Sequence, residues 1–214
     1  GPTREINRVN LQTGAVESIA SLEAFETGPF GSPVVAIDAE DRVAYLLDRF
    51  IGGEFTRLEL DSGSTQSFSA PNLGGLVNGA VWDPRNGRLL VATFGGTQLS
   101  GRLLIHSLAP DSGAAAVLLD TPVDGSQTGF GNPIQQLGLS SDSEFLYVAL
   151  PGEGGVAEVA LARGELRRLN ETQPLGFVPI ALEVTEDGLL FAASQGASVF
   201  AINVETGEAV TLSR

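Results

Sequence analysis

One short phrase recurs five times along this chain: an alternating apolar segment, a glycine turn and a second alternating segment. The copies read VNLQTGAVESIA from Val9, LELDSGSTQSFS from Leu58, SLAPDSGAAAVLL from Ser107, VALARGELRRL from Val159 and INVETGEAVTLS from Ile202. Their glycines are Gly14, Gly63, Gly113, Gly164 and Gly207, at steps of 49, 50, 51 and 43 residues. A unit of this length cannot bury its apolar face alone, so the copies must stack on one another.

Aligning backwards from each glycine recovers two further segments in four copies. The first reads PVVAID from Pro33, GAVWDP from Gly79, IQQLGLS from Ile134 and IALEVT from Ile180. Polar turns follow (AEDR, RNGR, SDSE, EDG), then VAYLL from Val43, LLVAT from Leu89, FLYVA from Phe145 and LLFAA from Leu189. In this second column Tyr45, Val91, Tyr147 and Phe191 align at one position. Period-two alternation of Val, Ile, Leu and aromatics, broken by Gly, Asp and Asn, predicts strands and hairpins throughout and no helix. The expected fold is an all-β propeller of four-stranded antiparallel blades. Four full blades fall at about residues 33–69, 79–119, 134–169 and 179–213, preceded by a half blade at 5–20 that lacks its inner pair of strands. The whole is one domain, read either as five sectors or as a fragment of a larger propeller. An unpaired strand edge beside the half blade would favour self-association.

Each blade is introduced by a related linker: TGPFGSP at Thr27, NLGGLVNG at Asn72, TGFGNP at Thr128 and PLGFVP at Pro174. Pro33, Pro133 and Pro179 stand just ahead of an inner strand, where a missing N–H does no harm. The G-F-x-x-P linker, the D-x-x-G-x-L-Y-V-A hairpin and the V-x-x-x-T-G-E turn together resemble the NHL and YVTN types of bacterial propeller repeat. That resemblance covers nearly the whole chain and implies a WD40-like blade architecture. It implies function only loosely, because such repeats serve sensor ectodomains, surface proteins, scaffolds and some enzymes.

Twelve Arg, no Lys and 26 acidic residues give a net charge of −14. A phosphate backbone is repelled by such a surface, so nucleic-acid binding is excluded, and no apolar run is long enough for a membrane span. The absence of Cys removes disulfides, thiolate metal sites and thiol nucleophiles together. No Met is present, and Gly1-Pro2 reads as the remnant of a cleaved tag on a piece of a longer protein. Acidity, lack of Cys and family habit point to an extracytoplasmic setting: periplasmic, secreted or on the cell surface.

No catalytic residue, metal ligand or cofactor is assigned. His106, the only histidine, lies in LLIHSL; if the turn carries two extra residues it occupies the apolar column of Val9, Leu58, Val159 and Ile202, a one-residue shift would point it to the opposite face, and a lone strand histidine suits a hydrogen-bonded structural residue. No G-x-S-x-G elbow accompanies it. The enzyme alternative is a divalent-metal lactonase or esterase of the gluconolactonase-like propeller type, whose site needs carboxylates and amides converging from several inner strands. Only Asn78, Asn132, Glu183 and Glu26 stand near such positions. The acidic turns at Asp38–Asp41 and Ser141–Glu144 match no EF-hand loop, and Gly52-Gly53, Gly95-Gly96 and Gly154-Gly155 read as loop glycines with no following helix to cradle a phosphate.

Loops between second and third strands, with the linkers, should instead form one binding face. Arg49, Phe50, Phe94, Gln98 and Phe130 are the candidate binding residues there, with Phe50 and Phe94 expected to be exposed. Phe30, Phe130 and Phe177 suit either the face or packing between blades, and Trp82 suits packing between blades. The sequence therefore favours a non-enzymatic binding or scaffold domain, with a protein or glycan partner held on the loop face.

Overall fold

The computed structural model describes residues 3–23, 33–48, 53–73, 76–97, 100–123, 137–150, 153, 155–169, 179–185, 187–194 and 198–213. Among them are eighteen strands and no α-helix. A two-stranded sheet comes first, from β1 (Thr3–Val9) and β2 (Val16–Glu23). Four antiparallel meanders follow. The first blade holds β3 (Val34–Asp38), β4 (Val43–Leu47), β5 (Glu54–Glu59) and β6 (Thr65–Ser69). The second holds β7 (Leu76–Asp83), β8 (Arg88–Thr97), β9 (Ser100–Leu108) and β10 (Ala115–Val123). The third holds β11 (Leu137–Leu139), β12 (Phe145–Leu150), β13 (Gly155–Ala160) and β14 (Glu165–Arg168). The fourth holds β15 (Pro179–Val184), β16 (Leu189–Ser194), β17 (Val199–Asn203) and β18 (Ala209–Ser213). Inner strands of consecutive blades adjoin, β3 on β7, β7 on β11 and β11 on β15.

Each full blade is apolar on both faces, as the buried run VAYLL of β4 shows, so the core is a series of slabs between sheets. One slab joins Tyr45, Leu47 and Phe55 of the first blade to Ala80, Leu89, Val91 and Leu108 of the second. The next joins Leu90, Phe94 and Ile105 to Leu137, Leu146 and Val159, and the third joins Tyr147 and Ala149 to Leu182, Leu190 and Ile202. A smaller one packs Ile6, Ile19 and Ala20 of the half-blade on Ala44, Leu46 and Leu58. Trp82 stacks on Tyr45 across the first junction, with ring centroids 5.4 Å apart, so it is inter-blade packing.

The strand-2 column needs one correction. Asp38 pairs with Val43 and Asp83 with Arg88, so Arg88 takes the place of Val43. Leu90, rather than Val91, is then equivalent to Tyr45, Tyr147 and Phe191, and Val91 faces the opposite way into the preceding slab. Matching apolar to apolar set Leu89 against Val43, but the second blade begins this strand with an arginine bound to Asp83 (Nε to Oδ2, 2.8 Å). A second difference concerns Gly95 and Gly96, expected in a loop. They belong to β8, opposite Arg102 and Gly101 in a long hairpin.

The recurring glycine fixes how blades approach. In every copy it adopts a left-handed backbone, φ +72° at Gly14 and +74° at Gly207, and its N–H bonds the carbonyl four residues earlier. Side chains hold the turn: Asn10 and Asn203 each accept two backbone N–H bonds, and Thr13, Ser62, Ser112 and Thr206 each accept one from two residues on. A Cβ on Gly63, Gly113, Gly164 or Gly207 would run into the backbone carbonyl of Ile19, Ser69, Leu118 or Leu169, on the outer strand of the preceding sheet or, for Leu169, one residue past it. Gly14, with no preceding blade, has nothing within 4 Å of that position. Both contexts strain an alanine through φ, but only the internal ones also clash. Gly14→Ala is therefore expected to cost about 1 kcal/mol and Gly207→Ala at least about twice that, as read by denaturant unfolding.

Candidate binding surface

The blades present two ends. Turns between strands 1 and 2 and between strands 3 and 4 form one; the second end, expected from the sequence to carry the loops between strands 2 and 3 and the linkers, falls largely outside the described residues. Of the residues expected to bind on the second end, Arg49, Phe50, Gln98 and Phe130 lie outside the described residues, as do Phe30 and Phe177. Phe94 is described, and its expected exposure is not found. It pairs with Leu76 near the end of β8, is 5% exposed and belongs to the slab shared with the third blade. The reason is the length of the β8–β9 hairpin, which carries Phe94 within the sheet rather than on a loop. Among the metal-site candidates, Asn78 lies in β7, Glu183 is exposed on β15, and Asn132 and Glu26 lie outside the described residues. Among the described residues no three His, Asp or Glu side chains gather as a metal site would require.

Among the described residues, polar side chains line two clefts between blades at the turn end. One, of about 360 Å³, separates the third and fourth blades and is lined by Asp142, Tyr147, Glu158, Arg167, Thr185 and Glu205 among others. Tyr147, Glu158 and Arg167 form a single cross-strand row over β12, β13 and β14. Arg167 bonds Glu158 Oε1 (3.1 Å from Nε) and reaches across to the Val204 and Glu205 carbonyls at 2.7 and 3.3 Å. One guanidinium thus ties two blades together, using the planar fork that lysine lacks. Burial, reinforced by Glu158, pushes the Tyr147 phenol up to about 12, so it stays a neutral hydrogen-bonding group. Asp142 is held below the usual carboxylate range by the Ser140 hydroxyl at 2.6 Å and the Glu144 N–H at 3.0 Å.

The other cleft, of about 410 Å³, lies between the second and third blades and is lined by Asn86, Arg88, Ser143, Phe145 and Arg163 with neighbouring residues. Beside it Asp83 is fully buried and accepts from the Asn86 side chain (2.9 Å) and the Arg88 guanidinium (2.8 Å). Burial alone would raise its pKa; bonds from Arg88, Asn86 and Ser143 outweigh it and hold the carboxyl low. Sequence reading missed this Asp because it looked like an ordinary hairpin-turn residue. The only available signal was the paired Arg88, where the other blades have Val43, Phe145 and Leu189.

His106 is 1% exposed on β9 and pairs with Val91. It stands two residues before Leu108, which holds the column of Leu58, Val159 and Ile202, and points to the same face. Its Nε2 lies 3.1 Å from Thr93 Oγ1, the hydrogen-bonded arrangement expected of a structural histidine.

No protein-family model matches the chain, and no curated protein matches it. Solved structures do. A chain in the crystal structure of the nidogen/laminin complex superposes at a TM-score of 0.70 with 19% identity, over 98% of this chain and 72% of that one. TolB from Acinetobacter baumannii gives 0.67 with 14% identity over 97% of this chain, which spans 48% of the TolB chain. A putative TolB from Agrobacterium tumefaciens gives 0.69 with 13% identity, over 100% and 71%. The fold is a β-propeller.

Within this propeller the buried groups set two measurable properties. Burial lowers the His106 pKa below its ordinary 6.5, so the folded protein holds the ring neutral while the unfolded chain takes up a proton near that pH. Its contribution is complete above pH 6.5 and is lost as pH falls towards the lower folded value. The melting temperature should therefore decline from about pH 7.5 to 5.5, and His106→Gln should flatten that slope, the chain having no other histidine. Phe94→Ala should cost about 3 kcal/mol in denaturant unfolding, the loss expected of a core phenylalanine.

Proposed function

We propose that this propeller is a non-enzymatic binding and scaffolding module of a bacterial extracytoplasmic protein, holding a protein or glycan partner. The observation that carries the reading is the fold itself: four-stranded meanders on a propeller, a rigid scaffold of the kind whose connecting loops carry binding residues. The nidogen/laminin neighbour is a propeller fold within a protein complex, in keeping with such a role. In this reading the partner-contacting residues are those expected from the sequence, Arg49, Phe50, Gln98 and Phe130, a pairing of aromatic and arginine that suits an interface. Phe94 leaves that set because it is core.

Immobilised protein incubated with a bacterial envelope extract is expected to retain a partner that Phe50→Ala and Arg49→Ala release, with both variants melting like the parent. The opposing result is metal-dependent hydrolysis of a lactone or ester, accompanied by saturable stabilisation by Ca²⁺, Mg²⁺, Mn²⁺ or Zn²⁺ after EDTA treatment. A metal at 100 times its dissociation constant would add about 2.7 kcal/mol, a shift of roughly several degrees, and would move the reading to a gluconolactonase-like hydrolase.

A further inference from the structure

One hairpin turn of the third blade departs from the repeat. Each turn between strands 1 and 2 holds a residue with a left-handed backbone: Arg42, Gly87, Ser143 and Gly188 in chain order. Arg42, Gly87 and Gly188 immediately precede β4, β8 and β16, whereas Ser143 stands two residues before β12. At φ +56° a serine is strained where a glycine is not, and such strain persists only where surrounding contacts hold it. The contact here reaches into another blade. Ser143 is buried, and its hydroxyl donates to the carboxylate of Asp83, which is fully buried at the end of β7 in the second blade. A second bond joins the same two turns. Arg85, two residues beyond Asp83, donates to the Asp142 carbonyl at 2.6 Å, one residue ahead of Ser143. Ser143 also lines the cleft between these blades together with Asn86 and Arg88.

We propose that Ser143 and Asp83 form a latch that holds the second and third blades together at their turn end, and that the strained backbone of Ser143 is the conformation the latch requires. A hydrogen bond to a buried charged group outweighs the strain of one left-handed residue, so the closed arrangement is favoured. Release would free the turn of its strain, deprive Asp83 of a donor and widen the cleft lined by Asn86, Arg88 and Ser143. This junction is therefore a place where the propeller opens locally, as a unit smaller than the whole fold. The latch belongs to the turn end and does not rest on the reading above.

The test compares thermal melts and amide hydrogen exchange of the whole chain with three variants. Were Ser143 merely a turn residue, Ser143→Gly would raise the melting temperature, because glycine removes the strain. With the latch, Ser143→Gly should lower it by about 2–4 °C, and Ser143→Ala, which loses the hydroxyl and keeps the strain, should lower it further. Arg42→Gly makes the same exchange at a left-handed residue whose side chain pairs with exposed Asp61, and should leave the melting temperature level or raise it. Exchange in Ser143→Gly should quicken at residues 83–88 and 140–145 and keep the parent rates at residues 204–208 of the fourth blade. A Ser143→Gly variant as stable as the parent or more so would overturn the proposal. Faster exchange spread evenly over all blades would overturn it too, since the loss would then be global rather than an opening of this junction.

Discussion

Everything in this molecule depends on one constraint: a sheet apolar on both faces must be covered on both. A meander of four strands cannot do that for itself, so each blade depends on its neighbours for cover. The glycine turn sets how closely they approach. Because Gly63, Gly113, Gly164 and Gly207 offer no side chain, the outer-strand carbonyl of one blade rests against the backbone of the next. The slabs of Leu, Val and aromatic side chains are then filled at that spacing. The left-handed φ and the close approach are separate demands that only glycine meets together, which is why one residue type marks the period so clearly.

Architecture was legible in the sequence for that reason. Turn chemistry and alternation repeat, and repetition can be aligned without knowing any contact. What could not be read were departures from the repeat. Arg88 stands where an apolar residue was expected, and it displaced the strand-2 column by one, because the pairing of buried Asp83 with a half-buried guanidinium leaves no trace in a hydropathy pattern. Phe94 was misplaced for a related reason. The glycine pair after it reads as loop, whereas Gly95 and Gly96 continue a paired hairpin. The face of His106 was legible only as far as the register, since its column depended on the turn length and a one-residue shift would have turned it to the opposite side. The loops expected to bind were less legible than the core, since loops carry no period and each is free to differ.

Charge is organised by the same constraint. All basic groups are arginines, and several stand across a strand from a carboxylate, as in Arg8 with Glu17 and Arg102 with Asp120 at 2.7 Å. Exposed pairs of this kind contribute little individually. Arg167 does more, because its fork satisfies a carboxylate in its own blade and two carbonyls in the next. Arg85 reaches from the second blade to the Asp142 carbonyl in the third at 2.6 Å. These contacts lie at the turn end, where the slabs are open to water and apolar packing alone would leave the blade edges unpinned.

The same logic gives the exposed apolar residues their meaning. In a fold without a repeat, Val35 or Ile37 at a surface would be unremarkable, since isolated surface aliphatics are common. Here each has three counterparts in the same chain, every one covered, and the covering group is known in each case. The repeat therefore acts as an internal control: exposure is measured against what this sequence does at equivalent positions.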